Sequence, residues 1–240
     1  EDVCLNVWPA LQEIHYDGWL IRLADGQTRR TNSVNILHGG LRSAEEKIPY
    51  CESVYRRHRL PTYFRILSTA GGQMDRLLDQ RGYDRQDETI TLFMPSVPHV
   101  PVASAATVEL TADVPTAEWL AARARLAGAT PSEIVKVGKI LQHLALPAVF
   151  AAVRDHDGVI RSLAKGAVHD GVACLNLVAT DADYRRRGFS RDCLWAILRW
   201  AQSAGASAAC LQVVSANAPA ISLYQRLGFT QELYRYHYRH

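Results

Sequence analysis

The stretch Leu175 to Ser190, LNLVATDADYRRRGFS, constrains this chain more than any other. Its apolar start reads as a buried strand. It then passes through a short polar loop and an arginine-rich turn into a segment of helical periodicity, Arg187 to Ala204, where Leu194, Ile197, Leu198 and Ala201 share one face. A strand that feeds a helix this way aims several backbone N–H groups and the positive end of the helix dipole at one point, and a pyrophosphate suits that point. Gly188 lets the backbone approach closely, Ser190 is too small to block it, and Arg185, Arg186 and Arg187 add charge. By pattern alone, a solvated basic turn before a helix accounts for the same residues.

The rest of the chain arranges itself around a break. Met94 to Pro101 (MPSVPHVP) carries three prolines, which disfavour a regular element and favour an extended linker. Gly18 to Ala24 and Ala148 to Arg154 read as strands ending in turns at Asp25-Gly26 and Asp157-Gly158. Leu77 to Tyr83 (LLDQRGY) resembles Leu223 to Phe229 (LYQRLGF), each a helix end, a glycine and an aromatic entering a strand. Aligning Gly82 with Gly228 and Gly26 with Gly158 gives offsets of 146 and 132 residues, consistent with a duplication; chance similarity of two α/β halves is the plainer account. Glu45 to His58 is helix-like and Thr62 to Leu67 a strand, while Ala208 to Val214 (AACLQVV) reads as a buried strand. Thr116 to Ala127 and Pro131 to Leu144 read as helices, with Thr130 a natural N-cap.

The turn Arg185-Arg186-Arg187-Gly188-Phe189-Ser190 matches Gln/Arg-x-x-Gly-x-Gly/Ala, with Ser190 replacing the final small residue, and Asn217 to Phe229 (NAPAISLYQRLGF) matches N-x-x-A-x-x-x-Y-x-x-x-G-F. In this order the pair resembles the GNAT superfamily of acyl-CoA N-acyltransferases, over residues 171–238. The resemblance implies an α/β (α+β) fold of two GNAT-like lobes, each a mostly antiparallel mixed sheet flanked by helices. It assigns 1–94 to a degenerate first lobe, 95–104 to the linker and 105–240 to the acetyl-CoA-binding lobe. It further implies that the co-substrate acetyl-CoA lies where the strand ending near Thr180 splays from Ala208 to Val214. The pantetheine would pair with Val178, Ala179 and Thr180, and the pyrophosphate would sit on the amides of Arg187 to Ser190, beside Arg185 and Arg186. Asn217 would fix the loop or the cofactor, and Tyr224 would protonate the leaving thiolate as general acid. Packing on a helix face is the plain alternative for Tyr224. The expected activity is acetyl transfer to a primary amine by direct attack; the alternative is a catalytically silent acyl-CoA-binding or sensor protein.

No general base is assigned. Val172 to Thr180 holds no carboxylate, and Asn176, expected by alternation to share a face with Val178 and Thr180, can hold a water but cannot take a proton near neutral pH. His169-Asp170-Gly171 reads as an exposed hairpin turn. In the first half, Ile36 to Arg42 (ILHGGLR) lacks the arginine–glycine pattern before a clear helix, and Leu78 stands where Tyr224 stands in the second, so that half is expected neither to bind CoA well nor to catalyse. It could wall the acceptor site or mediate oligomerisation.

Other classes find less support. A net charge of +3 does not predict nucleic-acid binding, and Arg56-Arg57-His58-Arg59 reads as the charged end of a surface helix. The longest nearly unbroken apolar run, Leu144 to Val153, is about half of the ~20 residues that span a bilayer, and no basic and apolar leader opens the chain, which starts at Glu1 rather than Met. The five cysteines form no CxxC pair, which argues for a reducing cytoplasm and against a disulfide framework or any metal site. Small-molecule amines, amino acids and peptide or protein amines all remain as acceptors; a homodimer is compatible with the sequence.

Overall fold

In a computed structural model that describes residues 1–70, 72–98 and 107–240, the short periodic segments become a regular alternation of elements. The first half runs α1 (Asp2–Asn6), β1 (Gln12–Tyr16), β2 (Trp19–Leu23), β3 (Val34–Ile36), α2 (Ala44–Arg57), β4 (Phe64–Leu67), α3 (Gly72–Gln80) and β5 (Arg85–Met94). The second runs β6 (Val108–Ala112), α4 (Ala117–Ala127), α5 (Pro131–Gln142), β7 (Ala148–Arg154), β8 (Ile160–His169), β9 (Val172–Thr180), α6 (Phe189–Ser203), β10 (Ala208–Val214), α7 (Ala218–Leu227) and β11 (Gln231–Arg239). No described helix is long and apolar enough to cross a membrane.

The chain forms two compact units that do not follow a single cut. The N-terminal unit is Ala10–Thr91 with Val213–Asn217 and Glu232–His240; the C-terminal unit is Leu92–Gln212 and Ala218–Gln231 with Glu1–Pro9. The boundaries expected at 94 and 105 are therefore crossed at both chain ends. Within the expected linker, Pro95 to Pro98 is tied down rather than free: the Val97 N–H donates to Ser207 O at 2.8 Å, and Gln202 Nε2 donates to Val97 O at 3.1 Å. Residues 99–104 of that linker lie outside the described residues.

Both units use one element order: an antiparallel hairpin, a third strand, a helix, a strand parallel to the third, and another helix. In the N-terminal unit, β1–β2 and β2–β3 are antiparallel, β3–β4 is parallel, and β11 joins β4 antiparallel with Tyr236 opposite Leu67. Its core gathers Trp19, Ile21, Val34, Phe64 and Ile66 from the sheet with Ile48, Cys51, Tyr55 and Leu78 from α2 and α3. In the C-terminal unit the strand order is β10-β9-β8-β7-β6, antiparallel except for the β9–β10 pair that α6 connects. α6 buries Leu194, Ile197, Leu198 and Ala201, the face its periodicity predicts. Thr116 caps α4 and Thr130 closes a capping box with Glu133 on α5.

Two expectations shift. The turn equivalent to Asp157-Gly158, between β7 and β8, is Asp17-Gly18 between β1 and β2, so the strand paired with Ala148 to Arg154 in the repeat is β1 and not Gly18 to Ala24. A helix does follow Ile36 to Arg42: α2 starts with a full capping box of Ser43 and Glu46. All five cysteines are buried and none is in a disulfide.

Candidate active site

The site grows from one irregularity in β9. Lys165 on β8 faces Asn176, and Leu163 faces Ala179, so one β8 residue, Ala164, opposes two on β9, Leu177 and Val178. Leu177 takes φ 54°, the left-handed conformation that such a bulge demands. An extra residue inverts the alternation beyond it. Asn176 therefore shares its face with Ala179, and not with Val178 and Thr180 as strict alternation predicts. Past the bulge the strands part: the parallel register of β9 with β10 ends at Leu175 opposite Leu211. The edge of Val178–Thr180 that faces away from β8 lies outside that ladder, half-buried and available to an extended ligand.

The polypeptide then enters a braced turn. Asp181 accepts from Arg161 at 2.8 Å and Arg125 at 3.1 Å, and Asp155 accepts from Arg161 at 2.6 Å and the Tyr184 hydroxyl at 3.1 Å. The Arg161 guanidinium holds both carboxyls well below the usual carboxylate range. Two guanidiniums lie over the Tyr184 ring, Arg161 at 4.5 Å and Arg187 at 4.6 Å from its centroid. Arg186 and Gly188 both have positive φ, and Gly188 is the N-cap of α6 at φ 87°. With no side chain there to cap the helix, its first amides face outward, the arrangement that receives phosphate oxygens. Arg185, Arg186 and Arg187 are exposed beside it, and Phe189 and Ser190 are half-buried.

Hydroxyls tie the turn to the strand. Ser190 Oγ lies 2.5 Å from Thr180 Oγ1, which lies 2.8 Å from Ser162 Oγ, and Ser162 donates to Ala179 O at 3.2 Å. Thr180 thus spends its side chain on α6 and offers a ligand only its backbone. Ser162, Arg161 and Asp155 went unnoticed in the sequence because their partners lie 10 or more residues away, or act through a turn with no motif of its own.

Tyr224, on α7, is buried, its ring edge-on to Phe229 at 6.3 Å. Burial pushes its phenol up to about 12, so it stays protonated at neutral pH. Among the described residues its hydroxyl has no hydrogen-bond partner. Asn176 is buried at both side-chain ends, and neither Oδ1 nor Nδ2 has a partner. Asn217 is exposed, its N–H donating to Val214 O at 2.9 Å, and it belongs to the N-terminal unit. His169-Asp170-Gly171 is the β8–β9 hairpin turn, as expected.

The equivalent turn of the N-terminal unit holds its own anion. Both oxygens of the Asp17 carboxylate accept backbone N–H groups, from Leu41 and Arg42 at 2.9 Å each, and Lys47 lies 3.3 Å from the same carboxylate. The two amides hold its carboxyl below the usual range. A Cβ on Gly40 would come within 2.2 Å of Asp17 O, so only glycine admits this plug.

Similar proteins share this architecture. The uncharacterized N-acetyltransferase YobR of Bacillus subtilis (strain 168) is 24% identical over 234 residues, which cover 97% of this chain and 93% of that protein. A GCN5-related N-acetyltransferase from Kribbella flavida superposes with a TM-score of 0.63 at 18% identity, covering 96% of this chain and 89% of that one. A tandem GNAT protein from the clavulanic acid biosynthesis pathway superposes with a TM-score of 0.67 at 12% identity, covering 86% and 74%. Residues 1–239 match the family described as Probable histone acetyltransferase Rv0428c C-terminal, and the chain belongs to that family, with the fold of the GNAT structures above.

Proposed function

We propose that the C-terminal unit binds acetyl-CoA and passes its acetyl group to a primary amine by direct attack. The observation that carries this reading is the conjunction at one place of a parted strand pair and an uncapped helix: β9 leaves β10 after Leu175 while α6 opens at Gly188. The backbone of Val178 to Thr180 would take the pantetheine amides, the amides of Arg187 to Ser190 the pyrophosphate, and Arg185 and Arg186 its remaining charge. Acetyl-CoA supplies an activated thioester, at which the neutral amine nitrogen forms the new C–N bond as the C–S bond breaks; the proton that nitrogen sheds leaves to solvent, which later restores the one Tyr224 gives. Tyr224 gives its proton to the departing sulfur; burial keeps the phenol protonated at neutral pH, so the proton is there to be given as the C–S bond breaks. Asn176 supports a second task, since a buried amide with both ends unsatisfied is stabilised by a bound water or the incoming amine.

The family description names histones, and a lysine side chain is one acceptor among small amines, amino acids and peptide N-termini that satisfy the same chemistry. One observation favours a second reading, a silent acyl-CoA binder: β9 carries an amide at Asn176 and no carboxylate. Release of free thiol from acetyl-CoA across a panel of small amines, amino acids and lysine-rich peptides separates the two. Amine-dependent release establishes the transferase; tight binding of acetyl-CoA without release on any amine establishes the binder.

A further inference from the structure

Three cysteines far apart in sequence meet in the C-terminal unit. Cys4 comes from α1, Cys174 from β9 and Cys210 from β10, and their sulfurs all lie within 4.8 Å of one another, buried. Cys174 and Cys210 are register partners on the parallel pair, and the three thiols share hydrogen bonds. We propose that Cys4, Cys174 and Cys210 form a binding site for one thiophilic divalent cation of the zinc class.

The geometry needs little change. Zinc–sulfur bonds of about 2.3 Å in a tetrahedron set sulfurs about 3.8 Å apart, so the triad closes on an ion by contracting at most about 1 Å. α1 can follow, since it is a single helix of five residues that buries only Cys4 and Leu5. Three thiol protons leave to solvent as three sulfur–metal bonds form, and the fourth position goes to water. Charge favours the ion too. Three thiolates around a dication carry one net negative charge, and Lys165, fully buried, supplies one positive charge that already acts on Cys174. Its ammonium is held by Val7 O at 2.7 Å and lies 5.5 Å from the Trp8 ring centroid, so the segment that directly follows the Cys4 helix fixes the counter-charge. The absence of a CxxC pair points away from a metal only for ligands close in sequence, and spacing is silent about ligands drawn from three separate elements.

The test uses the full chain, reduced and stripped of metal, with Cd2+ as the probe. Expected are one Cd2+ per chain by equilibrium dialysis, a thiolate-to-cadmium absorption band in the ultraviolet, competition by Zn2+, and a raised thermal midpoint. Cys4→Ser should weaken binding by more than the roughly 10–100-fold that losing a partner behind a ligand costs, with unchanged circular dichroism. Cys51→Ala and Cys193→Ala should bind as the parent does. Absence of the band, or undiminished affinity in Cys4→Ser, overturns the proposal and leaves three apolar core thiols. Should Cys174→Ala or Cys210→Ala fail to fold, Cys4→Ser alone decides, because it changes a residue outside the sheet.

Discussion

Gly188 carries the phosphate argument at the level of a single residue. Its φ of 87° disfavours any side chain, and a Cβ there would lie 2.9 Å from Arg191 Nη2. Gly188→Glu puts strain and a carboxylate where the pyrophosphate is proposed to sit. We expect acetyl-CoA affinity to fall at least about 100-fold, the loss of one or two charge-assisted hydrogen bonds, read by calorimetry on folded protein. Affinity equal to the parent's would remove the turn from the site. Tyr224→Phe keeps the ring packed on Phe229 and deletes the proton. We expect kcat to fall by roughly 10²–10⁴ with little change in KM for acetyl-CoA, and an unaltered rate would make Tyr224 a packing residue. Both residues were legible in the sequence because each sits in a contiguous motif. The partnerless amide of Asn176 was not: a single left-handed residue, Leu177, decides which face it takes.

Among the elements, β11 shows how a strand is held by a helix distant in sequence. Asp75 on α3 accepts from Arg239 Nε at 2.7 Å and pairs with His237 Nε2 at 2.7 Å, while Arg239 Nη1 reaches Asp79 at 2.7 Å. The Arg239 guanidinium, and after it the His237 contact, hold the Asp75 carboxyl down at about 2. A carboxyl lowered by folding adds stability above its unfolded pKa, near 3.9, and that stability is lost as pH falls toward 2. Urea midpoints measured between pH 2 and pH 6 should therefore drop across that window in the parent. Asp75→Asn should lower the midpoint near neutral pH by about 1.5–3 kcal/mol equivalent and remove part of the acid-dependent drop. Equal slopes in the two proteins would show that Asp75 is not the titrating group. Tyr234 to His240 alternates aromatic and cationic residues, a period-two strand pattern; of α3 the sequence shows only its end at Leu77 to Tyr83, and nothing that joins that helix to this strand.

For the molecule as a whole, the interleaving of the chain through its two units matters most. A fragment starting near Val102 looks from the sequence like the complete second lobe. It would lack α1 and Met94 to Pro98, which belong to the C-terminal unit, and would carry Glu232–His240, which belongs to the other. We expect it to be poorly soluble, with the aromatic strand Tyr234, Tyr236 and Tyr238 deprived of β4, and size-exclusion chromatography should find aggregate. A monodisperse fragment that melts cooperatively would refute this. Acetyl-CoA calorimetry on the full chain should give one site, because Asp17 already satisfies Leu41 and Arg42 at the equivalent turn. Two sites per chain would show that the plug yields to phosphate. Local chemistry was legible in the sequence alone: hydrophobic period placed α6, β7 and β10, the Thr130 cap placed the start of α5, and one glycine among arginines marked the turn, since each depends on residues within a few positions of one another. Tertiary structure decided what depends on register and distant packing: the bulge that turns Asn176, the meeting of three cysteines, and the assignment of β11 to the first unit. Adjacency in the chain carries no information about those, because strand pairing and core packing join residues whose separation in sequence is set only by the fold.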